Sequence, residues 1–129
     1  MAITLDHTEA NSLSWSDASP AKGVTATAEI YAGAGSFFDY VNVQLSIQMD
    51  ANIDGSGVDV KVRYSADSGT TDSDQNITIF NVTAAEATKI YTFQLTKFNY
   101  CEIMVYNNTT TEGEVTPTGK WEGCKVTDS

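Results

Sequence analysis

The residues able to do chemistry in this chain are few and badly spaced for it. His7 is the sole histidine and stands beside Asp6, with no motif that sets a serine or cysteine against it, whereas a nucleophile needs a base within hydrogen-bond reach. Seventeen Asp and Glu are scattered along the sequence, and no spacing singles out a pair for glycoside cleavage. No glycine-rich loop follows a strand and opens a helix to cradle phosphate. A non-enzymatic protein without a cofactor is expected.

Calcium is the one metal the spacing suggests. Asp50-x-Asn52-x-Asp54-Gly55 places oxygens at alternate positions and then a glycine for the bend, as in the first half of a calcium loop. The twelfth position, which supplies a bidentate Glu in a hand-type loop, is Lys61. Its charge repels the ion. The same residues also make an ordinary hydrated turn, so no metal site is assigned. Cys101 and Cys124 lack the Cys-x-x-Cys spacing of zinc or redox sites. Cys101 alternates with Ile103 and Val105, and Cys124 with Val126, so both are expected to face the core. They serve there as reduced small hydrophobes or, if their strands are neighbours, as one disulfide. Four glycosylation sequons, beginning at Asn76, Asn81, Asn107 and Asn108, are expected by chance in a chain so rich in Thr.

Charge removes whole classes of partner. Seventeen acidic residues face seven basic ones, for a formal net charge of −10 and a pI of about 4.2. Nucleic-acid binding needs Lys and Arg to displace counterions from phosphate, and one Arg without a basic cluster excludes it. An anionic membrane surface repels the chain for the same reason. No apolar run approaches the roughly 20 residues that span a bilayer. The start, Met1-Ala2-Ile3-Thr4-Leu5-Asp6-His7, lacks the basic and apolar stretches of a secretory signal, so synthesis and use in a cytoplasm are expected.

The elements that must carry any site are more legible. In Val41-Asn42-Val43-Gln44-Leu45-Ser46-Ile47-Gln48-Met49 every odd position is apolar and every even one uncharged polar; in Val58-Asp59-Val60-Lys61-Val62-Arg63-Tyr64 the polar positions are charged. A strand turns successive side chains to opposite faces, so each segment has one dry and one wet face. Val24, Ala26, Ala28 and Ile30 share a face whose small alanines admit a close neighbour. Further strands are expected at residues 77–80, 90–95, 98–107 and 120–126, and Thr83-Ala84-Ala85-Glu86 has the spacing of a capping box for one helical turn. Seven or eight short strands separated by turn residues predict an all-β protein: a single antiparallel β-sandwich, jelly-roll or immunoglobulin-like. Residues 1–22, polar and turn-rich, form an N-terminal arm ahead of the sandwich at 23–129.

Aromatic residues are the better candidates for a site. On the 98–107 strand, Tyr100, Glu102, Met104 and Tyr106 share the face opposite Cys101, Ile103 and Val105. If open, that tyrosine and methionine stripe suits a protein contact. Phe37 and Phe38 are adjacent, so in a strand one of them leaves the core. Trp15 in the arm offers a further anchor. The candidate partner interface is therefore Trp15, Phe37, Phe38, Tyr100, Met104 and Tyr106.

Val58-x-Val60-x-Val62-x-Tyr64-Ser65-Ala66-Asp67-Ser68-Gly69 and Phe98-Asn99-Tyr100-Cys101-Glu102-Ile103-Met104-Val105-Tyr106-Asn107 resemble the small β-sandwich virion proteins of tailed bacteriophages. These include capsid decoration (cement) proteins and tail accessory proteins. The resemblance runs from Tyr40 to Val126 and carries over no individual site residue. It implies a structural protein that binds capsid or other virion subunits, most readily on the outer surface, as a homo-oligomer in the assembly. Its place would be the virion, after synthesis in the host cytoplasm. The alternative is a glycan-binding or receptor-binding β-sandwich module, with Trp15, Tyr31, Tyr40 and Trp121 stacking on sugar rings and calcium ordering a binding edge.

Overall fold

In the computed structural model, residues 3–33, 35–49, 57–65, 76–82, 88–108 and 115–128 are described. The Asp50, Asn52 and Asp54 loop and the Thr83 to Glu86 capping box lie outside them. The strands are β1 (Ile3–His7), β2 (Asn11–Ser12), β3 (Thr25–Tyr31), β4 (Phe38–Met49), β5 (Val58–Ser65), β6 (Asn76–Val82), β7 (Thr88–Phe98), β8 (Tyr100–Asn107) and β9 (Val115–Asp128). Sheet I has the order β1-β9-β4-β7, with β2 also on the edge of β9; sheet II has the order β3-β8-β5-β6. Every pairing is antiparallel. The chain crosses between sheets from β2 to β3, β3 to β4, β4 to β5, β6 to β7, β7 to β8 and β8 to β9. That wrapping makes the β-sandwich a jelly roll.

The two alternating segments form the facing layers. Val41, Val43, Leu45 and Ile47 of β4 meet Val58, Val60 and Val62 of β5 and Cys101, Ile103 and Val105 of β8 in one cluster, each at most 1% exposed. Burying a side chain of this size fully contributes about 1.5–3 kcal/mol. Lys97, the last residue but one of β7, adopts φ 57°, close to where the chain leaves sheet I for β8 of sheet II. The last strand begins earlier than the expected 120–126, and Pro117 lies inside it opposite Ile47. It is tolerated because β1 and β2 occupy the other edge of β9 only from Lys120 onward, so the missing N–H breaks no ladder there.

Two glycines let β9 run close to its neighbours. A Cβ on Gly119 would lie 2.5 Å from the Gln44 carbonyl oxygen and 2.9 Å from Leu13, and one on Gly123 would lie 2.8 Å from the Phe38 ring. The described part of segment 1–22 does not project from this frame. β1 and β2 pair with β9, the Leu13 N–H donates to Gly119 O at 2.9 Å, and the Ser16 N–H donates to Thr27 O at 2.8 Å. Trp15 bridges Ala28 of β3. The segment thus covers an edge of both sheets, and the small Ala26 and Ala28 leave room for it.

The cysteines divide between two environments. Cys101 is in the core, where burial first and the Glu102 carboxylate second push its thiol up to about 12. Cys124 does not face that core. It is opposite His7 and Tyr40 in register and buried beneath them on the outer side of sheet I. Both are free thiols.

Candidate functional site

Sheet II turns its polar positions outward, and register decides which of them meet. Along β3 the outward residues are Thr25, Thr27, Glu29 and Tyr31; opposite them on β8 stand Tyr106, Met104, Glu102 and Tyr100. β5 continues the rows with Asp59, Lys61, Arg63 and Ser65. Glu29 and Glu102 are therefore direct cross-strand partners, an arrangement that is repulsive unless other groups intervene. Two do. The Tyr100 hydroxyl lies 2.8 Å from Glu29 Oε1 and 3.2 Å from Glu102 Oε2, and Arg63 Nη2 lies 3.2 Å from Glu102 Oε1. Burial first, and then the bond to Glu29, push the Tyr100 phenol well above its ordinary range. The hydroxyl therefore keeps its proton between the two carboxylates. Glu29, exposed, has no cation partner among the described residues.

Aromatic surface flanks this polar centre. Tyr31, 43% exposed, packs edge-on to Tyr100 with ring centroids 6.2 Å apart. In the other direction Glu29 opens onto a cleft of about 360 Å³ lined by Ser14, Trp15, Ser16, Thr27 and Glu29. Trp15 is half-buried against the core, and its indole Nε1 is buried with no hydrogen-bond partner among the described residues. From the Trp15 bridge at Ala28 to Tyr31 is three residues of strand, about 10 Å. The face thus offers an aromatic group at each end, hydroxyls and a carboxylate between them, and a second carboxylate neutralised by Arg63.

The sequence candidates fall in three places. Tyr100, Met104 and Tyr106 share one outward row on β8, the face opposite the core. Trp15 lies at the edge of the same sheet. Phe37 and Phe38 part company: Phe38 is 2% exposed, packed on Phe98 and Trp121, while Phe37 is 51% exposed with Lys97 Nζ 5.5 Å from its ring centre. The four aromatics expected to stack on sugars do not form one platform. Trp15 lines the cleft and Tyr31 lies beyond Glu29 on the outer face of sheet II, whereas Trp121 turns inward against Phe38 and the Tyr40 hydroxyl is on the outer face of sheet I, 3.3 Å from His7 Nε2. Glu29 and Arg63 are not marked out by the sequence, and Glu102 is marked only as a member of the Tyr100, Met104 and Tyr106 face. Their outward alternation was visible, but which strands lie side by side is not a local property.

No protein-family model and no curated protein matches this chain. Among solved structures it is similar to chitosan-binding module 1 derived from the chitosanase/glucanase of Paenibacillus sp. IK-5, with 19% identity over 85% of this chain and 92% of that one and a TM-score of 0.41. It is also similar to TmCBM61, solved in complex with beta-1,4-galactotriose, with 10% identity over 98% of this chain and 88% of that one and a TM-score of 0.31. What the site can do is read from this chain's own side chains.

Proposed function

We propose that this chain is a non-catalytic saccharide-binding β-sandwich module whose ligand lies along β3 on the outer face of sheet II. The observation that carries this reading is the cleft of Ser14, Trp15, Ser16, Thr27 and Glu29, whose carboxylate is held by the Tyr100 hydroxyl, with the exposed Tyr31 packed on Tyr100 beside it. Sugar rings present hydroxyls around their rim and C–H groups on their faces. Carboxylate and hydroxyl side chains answer the first, and aromatic faces, whose quadrupole is negative, answer the second. A glycan array followed by calorimetry tests it, run with and without calcium. The expected result is binding of at least one glycan class, weakened about tenfold or more by Tyr31→Ala or Glu29→Gln at unchanged melting temperature; tenfold corresponds to about 1.4 kcal/mol. No binding to any glycan under either condition overturns the reading.

A second reading, a virion subunit held by protein contacts, is favoured by one observation, the exposed Phe37. Truncating an interface aromatic that fills a pocket commonly costs about 2 kcal/mol or more in binding. A Phe37→Ala protein of full stability that fails to join particles supports this reading. Particles that lack the protein altogether remove it.

A further inference from the structure

The outer face of sheet I is built from the same kind of groups as the site above but with opposite electrostatics. The register brings Gln94 of β7, Asn42 of β4 and Glu122 of β9 into one row. Gln94 Nε2 donates to Asn42 Oδ1 at 3.0 Å, and Asn42 Nδ2 donates to Glu122 Oε1 at 3.3 Å. This ladder fixes the orientation of each amide and leaves further donors and acceptors pointing outward. Beside it an open cavity of about 250 Å³ is lined by Asn42, Gln44, Thr92, Lys120 and Glu122, among others. A second cavity of about 410 Å³ shares Gln44 and Lys120 with the first and adds Ser46, Thr118 and the exposed Ile90. Together they form one trench across β4. Its charges are one ammonium, Lys120, and one carboxylate, Glu122, so the lining is neutral in sum, with amides and hydroxyls set in a larger apolar surface that includes Ala10, Leu13 and Trp121. That suits an uncharged polyhydroxyl ligand better than an ion, and Ile90 supplies an apolar ledge for a ring face.

We infer that sheet I carries a second saccharide site, for a neutral chain, on the opposite side of the sandwich from the first. This rests on the saccharide reading of sheet II and extends it: one molecule holds two chains and bridges them. Trp15 borders both the trench and the sheet II cleft, so it is unsuited to telling the sites apart. Asn42, Gln44 and Thr92 belong to sheet I alone, as Glu29 and Tyr31 belong to sheet II alone.

Calorimetry with hexasaccharides of β-1,4-linked glucan, xylan and galactan as probes, on the full chain, decides it. The expected result is two bound hexasaccharides per chain for the preferred probe. Asn42→Ala with Gln44→Ala removes one, and Glu29→Gln with Tyr31→Ala removes the other. Wild-type protein should also cross-link the matching soluble polysaccharide, raising turbidity, and either paired variant should lose this. Should the alanine pair disturb folding, Thr92→Trp fills the trench without breaking a ladder bond and must also remove one site. A stoichiometry of one that only the sheet II variants abolish overturns the inference and leaves the saccharide reading standing. A stoichiometry of one that only the sheet I variants abolish overturns both the two-site inference and the sheet II assignment. Absence of binding by every one of these probes overturns the inference of a second site for a neutral chain, and the glycan array decides separately whether the saccharide reading of sheet II stands.

Discussion

The two outer faces of this sandwich use the same strand alternation and reach opposite chemistries. On sheet I the outward residues of β4 are Asn42, Gln44, Ser46 and Gln48, uncharged and solvent-facing, joined by exposed amide hydrogen bonds. On sheet II the outward rows carry Glu29, Glu102, Arg63 and Asp59, and their centre is drawn inward: Tyr100 is 3% and Glu102 8% exposed. The first face is held from beneath, by close backbone packing at Gly119 and Gly123. The second is held by its own polar network. A neutral amide surface can be left open at little cost, whereas two facing carboxylates require a buried hydroxyl and a guanidinium to coexist.

The largest effect should come from beneath sheet I. Phe38 packs on Phe98, Trp121 and the space over Gly123, and Phe38→Ala is expected to cost about 3–5 kcal/mol in chemical denaturation. Phe37→Ala should leave the midpoint unchanged, because that ring is half in solvent. Equal losses would mean that the adjacent pair acts as one core element, and sheet I would then owe its support to the loop as well.

A smaller pair of changes weighs the two networks against each other. Glu102→Gln keeps the shape of a side chain that is 11% exposed but removes the charge facing Arg63, and about 1–3 kcal/mol of stability should go with it. Asn42→Ala removes both ladder bonds at the exposed centre of sheet I, yet should cost no more than about 0.5 kcal/mol. Urea midpoints of the two variants give the ratio. If Asn42→Ala proves the costlier, the amide ladder is structural and the contrast between the faces fails.

Much of this contrast was written in local pattern. The alternation at residues 41–49 and 58–64 foretold which side chains face water, the alanines at 26 and 28 foretold a close neighbour, and the adjacency of Phe37 and Phe38 foretold that one would leave the core. What stayed hidden depends on contacts distant in sequence. β1 pairs with β9 across more than a hundred residues, so a polar segment that reads as an arm ahead of the sandwich contributes edge strands to it. Cys124 alternates with a hydrophobe, Val126, but that residue is itself 45% exposed, and apolar alternation at an edge does not say which side is the core. The Glu29–Glu102 pair exists only because β3 and β8, more than seventy residues apart, share a register.

The finest distinction between the faces lies at the extremes of pH, and neutral measurements miss it. Near sheet I, the Lys97 ammonium, 3.0 Å away, holds the Asp39 carboxyl below its ordinary value of 3.8, with the Val126 N–H adding to the effect. A carboxyl depressed on folding contributes stability that is present above its unfolded value and is lost as pH falls through the lower folded one. In sheet II, burial and then the bond to Glu29 raise Tyr100 above its ordinary 10.0. A phenol raised on folding contributes stability that is complete below its unfolded value and is lost as pH rises toward the folded one. The melting temperatures of Asp39→Asn and Tyr100→Phe should therefore approach that of wild type at opposite ends of the pH scale. The gap between wild type and Asp39→Asn closes as pH falls below about 4, by a small amount because the pair is exposed to solvent. The gap between wild type and Tyr100→Phe closes as pH rises above about 10. If both variants instead track wild type at both extremes, neither group is held by its face as the geometry requires, and the division into a packing-supported sheet and a network-supported sheet is lost.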